Sequence, residues 1–71
     1  MKESVTNSVY ELRRQAGITQ EDLARAVDVT RQTVIAIEKG NYIPSVLLSL
    51  KIAKYFNKNV EEIFKITYNE K

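Results

Sequence analysis

The stretch from Thr19 to Gly40 constrains the fold more than any other part of this chain. It contains two short helical patterns, and only Asp28, Val29 and Thr30 separate them. Each pattern opens on a threonine whose hydroxyl can accept a hydrogen bond from a free backbone N–H of the first helical turn. A connection this short does not let two helices fold back antiparallel, so they must cross at a steep angle.

The ends of these two predicted helices carry residues suited to capping. Asp22 is an imperfect capping-box partner for Thr19, but it places negative charge at the positive end of a helix. Gly40 follows the second pattern, where a residue of positive φ often ends a helix. The combination predicts a helix-turn-helix. The residues predicted to hold its crossing are Leu23, Ala24, Val29, Val34 and Ile37.

Composition narrows the class of protein. The 71 residues predict one domain, residues 1–71, and a domain of this size is marginal unless a second copy supports it. The chain has no Cys and no His, which excludes disulfides, the usual zinc ligands and the commonest acid–base side chain. It has only 2 Gly and no glycine-rich phosphate loop. We therefore expect no enzyme, no cofactor, no metal and no small-molecule ligand.

The chain shows no sign of a membrane segment. No apolar run approaches the ~20 residues that span a bilayer, and the N-terminal MKESVTNS lacks the apolar region of a signal peptide. The absence of Cys suits a reducing compartment. These features predict a cytoplasmic protein with no membrane partner.

Further helices are predicted on both sides of the central pair. The spacing of Val9, Leu12 and Ala16 predicts a first helix, capped by Asn7 or Ser8 and ended by Gly17. Ser45 can cap a fourth helix over about residues 46–56. The residues predicted to bury its inner face are Leu47, Leu50, Ala53 and Phe56, with Ile52 at the edge.

The end of the chain changes character. Asn59 and Glu62 form a capping box that predicts a very short fifth helix. Residues 65–71, KITYNEK, then alternate apolar and polar side chains as a strand does. A lone strand needs a partner, either residues 1–6 or the same segment of a second chain. The predicted fold class is all-α, with five helices and a short terminal β-strand pair.

Three segments carry a resemblance to a known family: ELRRQAGITQEDLA, VTRQTVIAIEKGNYIPS and LKIAKYFNKNVEEIF. In order and spacing they resemble phage-repressor and Cro-type (Xre-like) helix-turn-helix regulators, over about residues 7–64. The resemblance implies a five-helix, lambda-repressor-like DNA-binding domain. Asp28 departs from it, because the family usually has Gly in the turn. Residues 65–71 resemble the dimerisation strand of short stand-alone members.

The resemblance implies which residues contact double-stranded DNA. In this family the third helix enters the major groove, and its first residues meet the base edges. The implied base contacts are Arg31, Gln32, Ile35 and Ala36; the implied backbone contacts are Gln20, Thr30, Thr33, Lys39, Asn41 and Tyr42. On the residues alone, Arg31 and Gln32 are equally explained as a solvated helix face. Tyr42 is equally explained by packing on the fourth helix.

The resemblance also implies a structural ion pair and a homodimer. Arg13 and Glu38 match positions that form a partly buried pair between the first and third helices. Residues 19–42 carry a net charge of −1, so one copy should attract phosphate only weakly. Two copies would read a palindrome with half-sites about 34 Å apart. The apolar residues assigned to the dimer interface are Ile43, Val46, Leu48, Tyr55, Ile66 and Tyr68.

Two readings of function follow. The first is a transcriptional regulator, with repression favoured because it is common in the family. The alternative is an antitoxin or antirepressor-type protein-interaction module built on the same fold. A toxin gene beside this one would favour the alternative.

Overall fold

The computed structural model describes residues 2–69, and this part of the chain contains five α-helices and one two-stranded sheet. The elements in order are β1 (Lys2–Asn7), α1 (Val9–Ala16), α2 (Gln20–Ala26), α3 (Arg31–Glu38), α4 (Val46–Phe56), α5 (Val60–Ile63) and β2 (Phe64–Asn69). The five predicted helices and the strand pair are present. The molecule is mostly helical, but with a sheet it is not strictly all-α.

The predicted caps begin both helices of the central motif. The backbone N–H of Asp22 donates to Thr19 Oγ1 at 3.0 Å, and the Thr19 N–H donates back to Asp22 Oδ2 at 3.0 Å. The N–H of Thr33 donates to Thr30 Oγ1 at 3.2 Å. Asp28 has a φ of 63°, which confirms that the turn needs a left-handed residue here. α2 and α3 therefore have ends fixed by local chemistry.

One hydrophobic core lies between the helices. It comprises ten buried residues from all five helices and the α2–α3 turn region, with Ala24 at the helix crossing. The small Ala24 side chain lets α3 approach α2 closely. The buried residues are Val9, Leu23, Ala24, Val27, Val34, Ile37, Leu48, Ile52, Ala53 and Ile63.

The prediction of the buried face of α4 was right at Ala53 and Phe56 but wrong at Leu47 and Leu50. Leu48 is buried, together with Ile52 and Ala53, whereas Leu47 and Leu50 are exposed. The helix sequence VLLSLKIAKYF carries apolar residues on two faces, so periodicity alone did not choose between them. Burial of Leu48 also removes it from the proposed dimer interface.

The strand pair forms within one chain. β1 and β2 are antiparallel, and Val5 lies opposite Ile66. Asn7, at the end of β1, donates its side-chain Nδ2–H to the carbonyl oxygen of Ile37 at 3.0 Å. The N–H of Ser8 donates to the carbonyl oxygen of Ile63 at 3.0 Å. These two bonds attach the sheet to α3 and α5. Positions 1, 70 and 71 of the two predicted strand segments lie outside the described residues.

None of the helices found in residues 2–69 has the length and apolar character needed to cross a bilayer.

Candidate nucleic-acid interface

The first turn of α3 is presented to solvent. Val34 and Ile37 turn inward and are buried, which leaves Arg31 and Gln32 exposed on the outer face. Within residues 2–69, neither side chain makes a hydrogen bond. Ile35 and Ala36 are half-buried at the flanks of this face. The four predicted base-contact residues therefore share one helix, but only Arg31 and Gln32 are exposed.

The end of α3 is fixed by a left-handed glycine. Gly40 has a φ of 80°, and its N–H donates to the carbonyl oxygen of Ile37 at 3.0 Å. The N–H of Asn41 donates to the carbonyl oxygen of Ala36 at 2.9 Å, which completes a Schellman motif. The motif reverses the chain and leaves Lys39, Asn41 and Tyr42 exposed just beyond the helix. The exposure of Tyr42 is compatible with its predicted phosphate contact.

Arg13 and Glu38 form the ion pair implied by the resemblance. Arg13 Nε donates to Glu38 Oε2 at 2.6 Å, and Arg13 Nη2 donates to Glu38 Oε1 at 3.2 Å. Arg13 Nη1 donates to the carbonyl oxygen of Ile18 at 3.0 Å. The two side chains are only 9% and 5% exposed. The hydrogen bond to Glu38 raises the pKa of Arg13 above its ordinary value.

Gln20 belongs to this network, which sequence reasoning missed. Its Nε2 donates to Glu38 Oε1 at 3.0 Å. The amide predicted to hold a phosphate is thus already bonded through one N–H, while its second N–H remains available as a donor. Gln20 and Glu38 are 18 residues apart, so no local pattern could have indicated the contact. The network joins α1, the start of α2 and the end of α3.

Thr30 and Thr33 are also bonded to each other. Their hydroxyl oxygens lie 3.1 Å apart, so one hydroxyl donates to the other. Thr30 Oγ1 additionally accepts the N–H of Thr33 as the cap of α3. One hydroxyl hydrogen of the pair is left for an external acceptor such as a phosphate oxygen. Capping is thus compatible with the predicted backbone contact.

A polar groove of about 680 Å³ lies between the end of α1, the start of α2 and the start of α3. Three of its lining residues are Arg13, Arg14 and Arg31. Arg14 Nη1 donates to the hydroxyl of Tyr10 at 2.7 Å. Sequence reasoning assigned no role to Arg14 or Tyr10. Their spacing of four residues along α1 is the signal that could have paired them.

The predicted dimer residues are exposed, except for Leu48. Val46 is the most accessible of them at 76%. Leu47 and Leu50, predicted to lie in the core, add to the apolar surface. The exposed members of the predicted set are Ile43, Val46, Tyr55, Ile66 and Tyr68.

Comparison with known proteins places this geometry in a family. The Helix-turn-helix family model matches residues 9–63, from α1 through α5. The chain is 57% identical over 58 residues to the uncharacterized HTH-type transcriptional regulator YgzD of Bacillus subtilis, across 82% of this chain and 88% of that protein. It is 52% identical over 58 residues to an uncharacterized HTH-type transcriptional regulator of Methanocaldococcus jannaschii, with the same coverage of 82% and 88%.

Solved structures agree with this assignment. The restriction-modification controller protein C.AhdI of Aeromonas hydrophila superposes with a TM-score of 0.70 and 31% identity, covering 76% of this chain and 82% of that one. The transcriptional regulator VanUg superposes with a TM-score of 0.76 at 20% identity, over 97% of this chain and 92% of that one, which is a likeness of fold alone. This chain therefore belongs to the Xre/Cro-like helix-turn-helix family of DNA-binding transcriptional regulators.

Proposed function

We propose that this chain binds a palindromic operator in duplex DNA as a homodimer and represses transcription from it. The observation that carries the proposal is the exposure of Arg31 and Gln32 at the start of α3, where neither side chain bonds to any part of the chain that the structure describes. An Arg side chain can donate two hydrogen bonds to guanine O6 and N7, and a Gln can pair with adenine N6 and N7. Ile35 and Ala36, which are half-buried on the same helix, would touch a thymine methyl beside them.

The contacts around Arg31 and Gln32 support the proposal that α3 is held in a fixed orientation relative to α1 and α2. The Arg13–Glu38–Gln20 network ties α3 to the two preceding helices. Phosphate contacts on either side of α3 would set its register in the groove. The proposed backbone contacts are Gln20, Thr30, Thr33, Lys39, Asn41 and Tyr42.

A dimer is favoured by energetics and by surface chemistry. Residues 19–42, which contain the helix-turn-helix, carry a net charge of −1, so one copy would bind DNA weakly. A second copy doubles the phosphate contacts and reads a second half-site. The exposed apolar residues of α4 and β2 supply a surface that association would remove from water. We place the interface on that surface, with Leu47 and Leu50 in place of Leu48.

Repression follows from occupancy. A dimer seated on two half-sites covers its operator and excludes polymerase from an overlapping promoter. C.AhdI, which shares 31% identity, is described as a restriction-modification controller protein, and this supports a regulatory role for a chain of this size.

The test is selection of bound sites from random duplex DNA, followed by a salt titration of the enriched site. We expect an enriched palindrome and an affinity that falls steeply as salt rises, by about 0.9 log units per log unit of salt for each phosphate contacted. A salt slope near zero, or the absence of an enriched palindrome, would reject specific operator binding.

The exposed apolar surface of α4 also favours a second candidate, an antitoxin or antirepressor-type module whose partner is another protein. A co-transcribed partner that forms a stable one-to-one complex with this chain, and releases it from DNA, would support this candidate. If the chain forms a homodimer and binds none of the proteins encoded by neighbouring genes, this second candidate is rejected and the transcriptional regulator is kept.

A further inference from the structure

We propose that Arg14 is a further phosphate-binding residue, held in position by Tyr10, which extends the DNA interface from α3 onto α1. The inference rests on the proposed function and assigns a ligand, a backbone phosphate of duplex DNA, to the groove between α1, α2 and α3. It concerns two residues to which the helix-turn-helix itself gives no role.

The guanidinium of Arg14 is preorganised. Its Nη1 donates to the Tyr10 hydroxyl at 2.7 Å, and its central carbon lies 5.6 Å from the centroid of the Tyr10 ring. A guanidinium carries five N–H donors, so one bond to Tyr10 leaves four for an external anion. A side chain restrained in this way loses less conformational freedom when it binds a phosphate.

Arg14 offers the groove a positive charge that is available to an anion, whereas the charge of Arg13 is not available. The Arg13 guanidinium is buried and paired with Glu38, so its charge is neutralised locally. Arg14 is exposed, and no carboxylate within residues 2–69 lies in ion-pair contact with it. Glu21 is the acidic residue on the groove wall. The α1 side of the groove therefore offers one available cation to a phosphate.

The position of the groove matches the path of a DNA strand. Arg31 also lines it, and Arg31 is the residue proposed to reach the base edges. A helix in the major groove lies between two sugar–phosphate strands, so groups on its flank face a backbone. Arg14 and Arg31 line one groove, which places Arg14 on that flank.

The experiment compares R14Q with the wild type, using R25Q as a matched control. Arg25 is an exposed arginine of α2 that lies outside the groove. Each protein is titrated onto a random-sequence duplex of about 30 base pairs, long enough for two half-sites one helical turn apart. R14Q is expected to bind several-fold more weakly. Its salt slope should fall by about 0.9 for each phosphate that the protein no longer neutralises, or about 1.8 for a dimer. R25Q should match the wild type in both respects.

A second variant tests the role of Tyr10. Y10F keeps the aromatic ring and removes the hydroxyl that accepts from Arg14. Because the Arg14 charge remains, affinity should fall while the salt slope stays at the wild-type value. All three variants should melt within about 4 °C of the wild type, as surface substitutions in a domain of this size do.

The outcomes separate the two proposals. A wild type that binds DNA with the same affinity and slope as R14Q overturns this inference and leaves the proposed function standing. Equal losses of DNA affinity in R14Q and R25Q also overturn it, because they would show an effect of overall charge and not of a phosphate site at Arg14. A wild type that does not bind the duplex at all overturns the proposed function and this inference together.

Discussion

Arg13 has almost no exposed surface to offer a ligand, but it joins α1 to the end of α3. Its guanidinium bonds to both carboxylate oxygens of Glu38 and to the carbonyl oxygen of Ile18. A buried pair of this kind orients its helices and adds little net stability over an apolar packing of equal volume. Removing one partner is different, because the remaining charge is left buried and unpaired.

R13A should therefore destabilise the fold. Glu38 would keep only the Gln20 amide as a partner, and we expect the free energy of unfolding to fall by about 3 kcal/mol. Thermal melting measures the loss, with R14A as the control that should melt as the wild type does. DNA affinity should fall as a consequence of the displaced α3. Identical melting temperatures for R13A and the wild type would remove the pair from the account of stability.

Asp22 should make stability depend on pH in the acid range. The backbone N–H and the hydroxyl of Thr19 hydrogen-bond to its carboxylate and lower its pKa below the ordinary 3.8. A lowered pKa contributes stability that is present above 3.8 and is lost as the pH falls through the pKa of the folded state. We expect the melting temperature of D22N to fall less than that of the wild type as the pH is lowered. Parallel curves for D22N and the wild type would contradict this.

At the scale of single elements, the α2–α3 turn is short because it uses a left-handed residue. Asp28 supplies the φ of 63°, and the next N–H, from Val29, donates to the carbonyl oxygen of Ala24 at 2.9 Å. Aspartate adopts this conformation more readily than most residues, but at some cost that glycine does not bear. The turn therefore keeps its geometry with a small strain.

D28G should relieve that strain and stabilise the domain. The gain is partly offset by the greater freedom of glycine in the unfolded chain, so we expect about 0.5 kcal/mol. D28A removes the same carboxylate without relieving the positive φ, and it should be less stable than the wild type. Chemical denaturation of the three proteins gives both differences. If D28A is more stable than D28G, the turn is not strained at position 28.

Local chemistry explains which elements were predictable. Thr19, Thr30 and Ser45 accept N–H groups three residues on, and Asn57 ends α4 with a left-handed φ of 58°. Each of these features depends on residues adjacent in the chain. The inner face of α4 was not predictable, because it depends on which of two apolar faces meets the rest of the core.

The candidate site likewise contains features that could be predicted from the sequence and features that could not. The exposure of Arg31 and Gln32 follows from the cap and period of α3. The bond from Gln20 to Glu38 and the groove shared by Arg14 and Arg31 join residues distant in sequence. Such contacts arise only when three helices are packed together, so the sequence carried no signal for them.

At the scale of the whole molecule, large apolar side chains remain accessible on both α4 and β2. Val46 and Leu47 on α4 and Ile66 on β2 are each more than half exposed, at 76%, 64% and 62%. The core of this structure is small, and burying these apolar side chains against a second copy would stabilise it. The same association would set two reading helices on one DNA duplex.

The dimer is tested by introducing charge into this surface. We expect the wild type to be dimeric at concentrations on the order of tens of micromolar, and L47E or I66E to shift it to monomer. R25E changes the charge of an exposed residue of α2, outside the proposed interface, by two units and serves as the control, which should remain dimeric. Sedimentation equilibrium reports the mass of each protein. A monomeric wild type at these concentrations would contradict the proposed homodimer.

The central claim is that the start of α3 reads sequence, and a base-by-base affinity scan tests it most directly. The wild type, R31A and Q32A are each titrated onto the selected operator and onto every single-base variant of one half-site. We predict that R31A loses about 1–3 kcal/mol of discrimination at one base pair and that Q32A loses it at another, with other preferences retained. Base preferences in both variants that match the wild type at every position would contradict the claim.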